Sequence, residues 1–251
     1  MDKYLQRTTL LVGESAQAEI SRVRIILFGV GGVGSWCAEA LVRSGVRHLT
    51  IVDFDTVSES NVNRQLMATP TAVGEVKVEV LRRRLLEISP EAQIIARNEH
   101  YSAQTAENFA LAGYDYIIDA IDSLKDKADL IKRGMAAPGV FFSSLGAALK
   151  IDPTRIKVGN FWKVRDCPLG AALRKKLRRE GGVQEHSFLC VYGDEVLPNL
   201  GVAAVGEDAL GAEALSVGKA TINGTMAHIT GIFGFTLAGL VMKDIYNKAN
   251  G

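Results

Sequence analysis

The chain of 251 residues carries 47% apolar and 23% charged side chains with a formal net charge of +1, ordinary for a soluble globular protein. Its three cysteines, Cys37, Cys167 and Cys190, lie far apart with no C-x-x-C pair, which excludes a disulfide framework and a zinc-ribbon spacing and points to reduced cytoplasmic thiols. The first residues, MDKYLQRTTLLVGESAQ, mix charges with a short apolar run and do not read as a secretory signal.

Residues 3–20 read as a helical arm that carries Arg7. An apolar strand, Val23–Phe28, then ends in Gly29-Val30-Gly31-Gly32-Val33-Gly34. A helical pattern follows from Val33 to about Ser44, closed by Gly45, and a second strand, His48–Asp53, ends on an acid. Strand, glycine turn, helix, strand and acid together form the nucleotide-binding βαβ fingerprint in its required context. Gly29 permits the tight turn, Gly31 lets backbone approach a phosphate, and Gly34 lets the helix pack close to the strand. The helix N-terminus then offers unpaired N–H groups to an anion.

The polar loop 56–65, TVSESNVNRQ, holds more amide and cationic side chains than a turn requires. Gly74 and Glu75 open a helix through Ile88, with Val76, Val80, Leu81 and Leu85 on its apolar side, and Ser89-Pro90 stops it. Gln93–Ala96 is a third strand, and Ser102 or Thr105 caps a helix over Ala106–Leu111. The run Tyr114–Asp122 is a fourth strand, Ser123 caps the helix Leu124–Met135, and Val140–Ser144 is a fifth strand. Strands alternating with helices predict a Rossmann-like α/β fold, a doubly wound and mostly parallel sheet with helices on both faces. Ligands of such sheets sit at the carboxyl ends of the strands, where Gly31, Asp53, Asn61, Arg64 and Asp122 converge.

Beyond residue 150 the pattern changes into an extension of the same domain. Arg155–Val158 is expected as an outer strand after a turn at Asp152-Pro153. Residues 163–180 hold seven basic and two acidic side chains, which suits either a solvated helix face or a surface for nucleic acid. Residues 194–213 hold five acids and no base, and 181–220 shows little periodicity, as expected of a mobile loop. Met226–Met242 is apolar for about the 17–25 residues a bilayer requires. His228, its glycines and Lys243-Asp244 favour a buried helix, with membrane contact at most peripheral.

Two nucleotides fit the turn. With NAD, Asp53 would hold a ribose while His186 or His228 served hydride transfer, and the 58–65 loop and Lys77 would be left without a role. With ATP, Asp53 takes the ribose and the phosphates lie over Gly31–Gly34. Arg64 and Lys77 then neutralise phosphate charge, and Asp122 holds Mg²⁺ through one carboxylate.

The segments GVGGVGSWCAEALVRSG, VDFDTVSESNVNRQ, VGEVKVEVLRRRLLEISPE and YDYIIDAIDS closely resemble the ubiquitin-activating-type adenylyltransferase superfamily, which includes the ThiF and MoeB proteins. The resemblance covers about residues 4–150. It implies adenylation of a carboxylate by Mg-ATP with release of pyrophosphate. It places Gly32 on the nucleotide and Asp53 on the ribose, with Ser60, Asn61 and Arg64 along the phosphate and base side. Lys77 meets the phosphates, and Asp122 with Ser123 completes the metal and nucleotide site. It also implies a homodimer in which Arg7 reaches the partner's ATP.

The later segments FFSSLGAALKIDPTRIKVGNFWKVRDCPLGAALRKKLRR and INGTMAHITGIFGF resemble the tRNA threonylcarbamoyladenosine dehydratase branch of that superfamily. That branch implies ATP-dependent cyclisation of N6-threonylcarbamoyladenosine beside the tRNA anticodon, with the basic segment tracking tRNA phosphates. Neither Cys167 nor Cys190 is assigned catalysis, because ring closure on an acyl adenylate needs no enzyme nucleophile. The alternative is activation of the C-terminal glycine of a small sulfur-carrier protein, and a sulfur-transfer partner remains open. The two C-x-x-C zinc pairs common among sulfur-carrier activators are absent here.

Overall fold

The computed structural model describes residues 3–181, 187–201 and 223–251. Seven strands, β1 (Arg24–Phe28), β2 (His48–Asp53), β3 (Gln93–Asn98), β4 (Tyr116–Asp119), β5 (Val140–Ser144), β6 (Ile156–Asn160) and β7 (Leu189–Gly193), make one sheet in the order β3-β2-β1-β4-β5-β7-β6. All neighbours run parallel except β6, which pairs antiparallel with β7 at the edge. The Rossmann-like α/β reading therefore holds.

Alternation along β1 divides the core between two faces, because successive strand side chains point to opposite sides. Ile25 and Leu27 join α3 (Gly34–Arg43), α4 (Lys77–Ile88) and α7 (Ala227–Asn250) through Cys37, Leu41, Leu81, Phe233 and Leu237. Ile26 and Phe28 point the other way, toward α5 (Leu124–Ala136) and α6 (Pro168–Arg179), meeting Leu130, Ile131, Leu173 and Leu177. The helices α1 (Gln6–Val12) and α2 (Glu14–Arg22) form the N-terminal arm, with Ile20 buried in the first of these clusters.

Several boundaries differ from expectation. The fourth strand stops at Asp119 rather than Asp122, because the chain leaves the sheet where Ala120 meets Gly29 and where Ile121 N–H turns back to the Asp119 carboxylate. Ala106–Leu111 is not a capped α-helix but two short 3-10 turns, Ala106–Phe109 and Leu111–Gly113, broken by left-handed Ala110 (φ 44°). Thr105 Oγ1 turns back to the His100 carbonyl, 2.7 Å away, and does not cap that segment. On α4 the buried face is Val78, Leu81 and Leu85, while Val76 and Val80 are only half-buried.

The predicted loop at 181–220 contains β7, which inserts between β5 and the outer strand β6. Residues 182–186, with His186, and 202–222 lie outside the described residues. The apolar segment at 226–242 forms α7, the one described helix long and apolar enough to cross a membrane, with half of its most apolar window buried inside the protein. It crosses α3 closely: a Cβ on Gly234 would stand 2.5 Å from the Val33 carbonyl and 2.8 Å from Cys37 N. Gly234→Ala should therefore lower the unfolding free energy by about 1–3 kcal/mol, the usual cost of overpacking. Urea titration reads this directly, and a wild-type midpoint would contradict the close crossing.

Candidate functional site

Strand order reverses between β1 and β4, and in parallel α/β sheets the crevice at that reversal is where ligands bind. The glycine turn fills this position. Gly29 has φ +82°, and a Cβ there would sit 2.7 Å from the Ala120 carbonyl; one on Gly34 would be 1.8 Å from the Gly29 carbonyl. The turn thus closes tightly only without side chains. Among the described residues the N–H groups of Gly31, Gly32 and Val33 enter no backbone hydrogen bond, and they precede the N-terminus of α3. That arrangement suits a phosphate.

Asp53, at the end of β2, clamps the turn from the side. Its Oδ2 accepts Val30 N–H at 2.8 Å, and its Oδ1 accepts Asp55 N–H at 3.0 Å. Burial pushes this carboxyl above its ordinary value, with the Lys77 charge opposing. Each oxygen retains a second lone pair for a ribose hydroxyl. Lys77 opens α4, and its buried ammonium lies 2.8 Å from Asp55 Oδ2.

The 58–65 loop is folded by its own amides. Asn61 is buried, and its Oδ1 accepts Ser58 N–H at 3.1 Å as half of a capping box. Ser60 is exposed, and its Oγ bonds Ser58 Oγ. Arg64 Nη1 donates to Ser60 O and Asn63 Oδ1, while the Arg64 carbonyl accepts Trp36 Nε1–H at 3.1 Å. Burial lowers the Arg64 pKa, and the Asp122 carboxylate is near enough for its charge to oppose that shift.

Asp122 is exposed at the C-terminal side of β4 and forms no hydrogen bond among the described residues. Its position is fixed from beneath. Asp119 and Lys127 are fully buried, 2.8 Å apart, and Lys127 Nζ also donates to the Ile121 carbonyl at 2.8 Å. Ser143 Oγ and Ile121 N–H complete the shell of the Asp119 carboxylate. Burial pushes Asp119 up and the Lys127 charge pulls it back. Ser123 Oγ accepts Asp126 N–H, the cap of α5 that was expected.

The structure thus gathers Gly29, Gly31, Gly32, Gly34, Asp53, Arg64 and Asp122 around the end of β1, with Lys77 joined to the group through Asp55. It does not bring Arg7 there within one chain. Arg7 is exposed on α1 without a polar contact among the described residues. Neighbouring Leu5 packs beside Gly45, past the far end of α3 from the turn. Sequence reasoning missed Asp55, Trp36, Asp119, Lys127 and Thr230. Thr230 of α7 covers the turn, 3.1 Å from where a Gly32 Cβ would be. Lys127 carried a usable signal: with Ala128 and Ile131 it lies on the inward face of its helix.

A model of the ThiF family matches residues 5–250. The chain belongs to the ThiF family. It is 40% identical over 192 residues to a tRNA threonylcarbamoyladenosine dehydratase of Bacillus subtilis, covering 75% of this chain and 74% of that one. The Escherichia coli protein of the same name is 34% identical over 260 residues, covering 99% of this chain and 96% of that one. Among solved ThiF-type structures, E. coli TcdA in complex with ATP superposes with a TM-score of 0.86 at 31% identity, over 99% of this chain and 97% of that one.

Asp119 and Lys127 sustain the part of this site that no ligand can supply. Lys127→Ala leaves a buried carboxylate without its counter-charge and should lower the unfolding free energy by about 3–5 kcal/mol. Chemical denaturation checks this, and an unchanged midpoint would contradict the role given to the pair.

Proposed function

We propose that this chain is an ATP-dependent tRNA threonylcarbamoyladenosine dehydratase that works by adenylating the nucleoside's carboxylate. The observation carrying this reading is the glycine turn with the Arg64 side chain against Gly32 and the Asp122 charge acting on that arginine. It lies in a chain alignable over 99% of its length with the E. coli dehydratase. The open N–H groups of the turn hold ATP phosphate, Asp53 takes the ribose, and Ser60, Asn61 and Ser123 frame the nucleotide. The arginine and lysine have different tasks. Arg64, partly desolvated, stabilises charge that grows on the phosphates, and Lys77 holds the loop through Asp55 while adding positive field.

Chemically, hydroxide is a poor leaving group, so the carboxylate must first be activated. A carboxylate oxygen attacks the ATP α-phosphorus and pyrophosphate leaves. The neighbouring carbamoyl group then attacks the acyl carbon and AMP departs with the oxygen that joined it. Because both reacting groups belong to one nucleoside, ring closure has a high effective molarity. Cys167 and Cys190 are buried, and burial pushes the Cys190 thiol up to about 12, so the route uses neither.

Asp122 fits Mg²⁺, which takes one or two carboxylates with phosphate and water oxygens. When bound, that ion would neutralise phosphate charge. The enzyme is proposed to act in the cytoplasm as a homodimer in which Arg7 reaches the partner's ATP.

For tRNA, the structure narrows the basic segment. Arg174 donates to the Phe161 carbonyl and lies over its ring, Arg178 lies over Trp162, and Lys176 pairs with Glu180. Lys163, Arg165, Lys175 and Arg179 remain exposed without an ion-pair partner among the described residues. Replacing these four with glutamine should reduce the salt slope of tRNA binding by about 0.7–0.9 for each phosphate no longer neutralised. An unchanged slope would return this face to plain solvation.

The activity test combines purified protein, Mg-ATP and tRNA bearing the uncyclised nucleoside, with nucleosides read by mass. Wild type should yield the cyclic nucleoside, AMP and pyrophosphate. Arg64→Ala and Asp122→Ala should each lose at least about 100-fold in rate while remaining folded. Untouched tRNA together with adenylation of a sulfur-carrier C-terminus would overturn this reading in favour of the alternative.

A further inference from the structure

Arg64 is gripped at its backbone and at its guanidinium by two different sets of groups. Its carbonyl accepts the indole N–H of Trp36 at 3.1 Å, and Thr230 Oγ1 lies 3.4 Å from the same oxygen. The Trp36 bond is the one that fixes this carbonyl, because the single proton of the Thr230 hydroxyl has the Ala227 carbonyl closer, at 3.1 Å. Arg64 Cγ and Thr230 Cγ2 both approach the place of a Gly32 Cβ, at 3.5 and 3.1 Å, so the stem of the arginine lies along the glycine turn. At the far end, Nη1 donates to the Ser60 carbonyl at 2.8 Å and to Asn63 Oδ1 at 2.9 Å.

These bonds use both protons of Nη1 and leave Nε and Nη2 without a hydrogen-bond partner among the described residues. The unused edge is one that can form paired, parallel N–H bonds to phosphate oxygens. Trp36 comes from the first turn of α3, two residues after Gly34. Its half-buried ring meets Phe235 of α7 edge to face with centroids 5.8 Å apart, and lies 3.9 Å from where a Gly231 Cβ would be. The indole is thus seated on α7 with its N–H aimed at the 58–65 loop. Asn63 ties that loop to the same helix, its Nδ2 3.4 Å from the Thr225 carbonyl just ahead of α7.

We infer that Trp36 and Asn63 are positioning residues for the adenylation step, and that they act by holding Arg64 with its Nε–Nη2 edge free for the phosphates. The inference rests on the ATP reading of the site. A long side chain loses rotamer freedom when it is fixed, and here that cost falls on folding rather than on the moment when phosphate charge develops. Donors preorganised in this way gain strength as charge grows, so they lower the barrier more than they tighten ground-state binding. A Trp36 that served packing alone would need only its ring, since its contacts with Phe235 and Gly231 are made by ring carbons. The indole N–H goes to Arg64 instead.

The test measures tRNA-dependent ATP–pyrophosphate exchange with labelled pyrophosphate on the full chain, with kcat and the KM for ATP determined separately. Trp36→Phe keeps a ring against α7 and removes the donor, so it should lower kcat about tenfold with KM within about twofold. Asn63→Ala, at an exposed position where folding is not at stake, should lower kcat about fivefold. In the slower Arg64→Ala protein neither substitution should cost anything more, because groups that act through one residue are not additive. Wild-type kcat in either variant, or a loss that recurs in full beside Arg64→Ala, would overturn the inference. Absence of exchange in the wild-type protein would instead reject the ATP reading itself, so the two failures are distinguishable.

Discussion

An ammonium and a carboxylate, both withdrawn completely from solvent, hold the working end of this sheet. The Lys127–Asp119 pair stands under the point where β4 leaves the sheet and Gly29 turns away from β1. Such a pair gains little over apolar packing, but losing either partner is costly. Its value here is geometric. Lys127 donates to the Ile121 carbonyl and Asp119 accepts Ile121 N–H, so one peptide segment is gripped at both polar groups. The next residue is Asp122. A loop held this way can present an exposed carboxylate at the crevice without a hydrogen bond of its own among the described residues.

The first half of the fold was legible because its signals are local and agree with one another. Strands β1, β2 and β5 are apolar runs ended by glycine or polar residues, and their bounds fall within one residue of expectation. Strand β7 was not legible. LCVYG is a short apolar run between weakly patterned segments, and only its insertion between β5 and β6 makes it a strand. Tertiary pairing decides such cases, not periodicity.

The candidate site shows a similar division. Gly29, Gly34 and Asp53 could be assigned from spacing because a tight turn demands them. Asn61 was singled out for the nucleotide, yet its amide is also spent on folding its own loop. Lys127 was passed over because lysines are seldom fully buried. The basic run at 163–179 looked uniform in sequence, but Arg174 and Arg178 cover aromatic rings and Lys176 serves an ion pair. Charge alone does not tell which cations the fold has already used.

The second half of the chain returns to the same crevice through α7. Thr230 covers the glycine turn and also approaches the Arg64 carbonyl, and Asn63 reaches the Thr225 carbonyl. The crevice beside the glycine turn is therefore closed by residues more than a hundred positions from the turn. The central claim is that this crevice joins a carboxylate oxygen to the α-phosphate. It is tested most directly by labelling both oxygens of the threonyl carboxylate with ¹⁸O and running one turnover. AMP should then carry one ¹⁸O in its phosphate; unlabelled AMP, or label in orthophosphate released with ADP, would contradict the account.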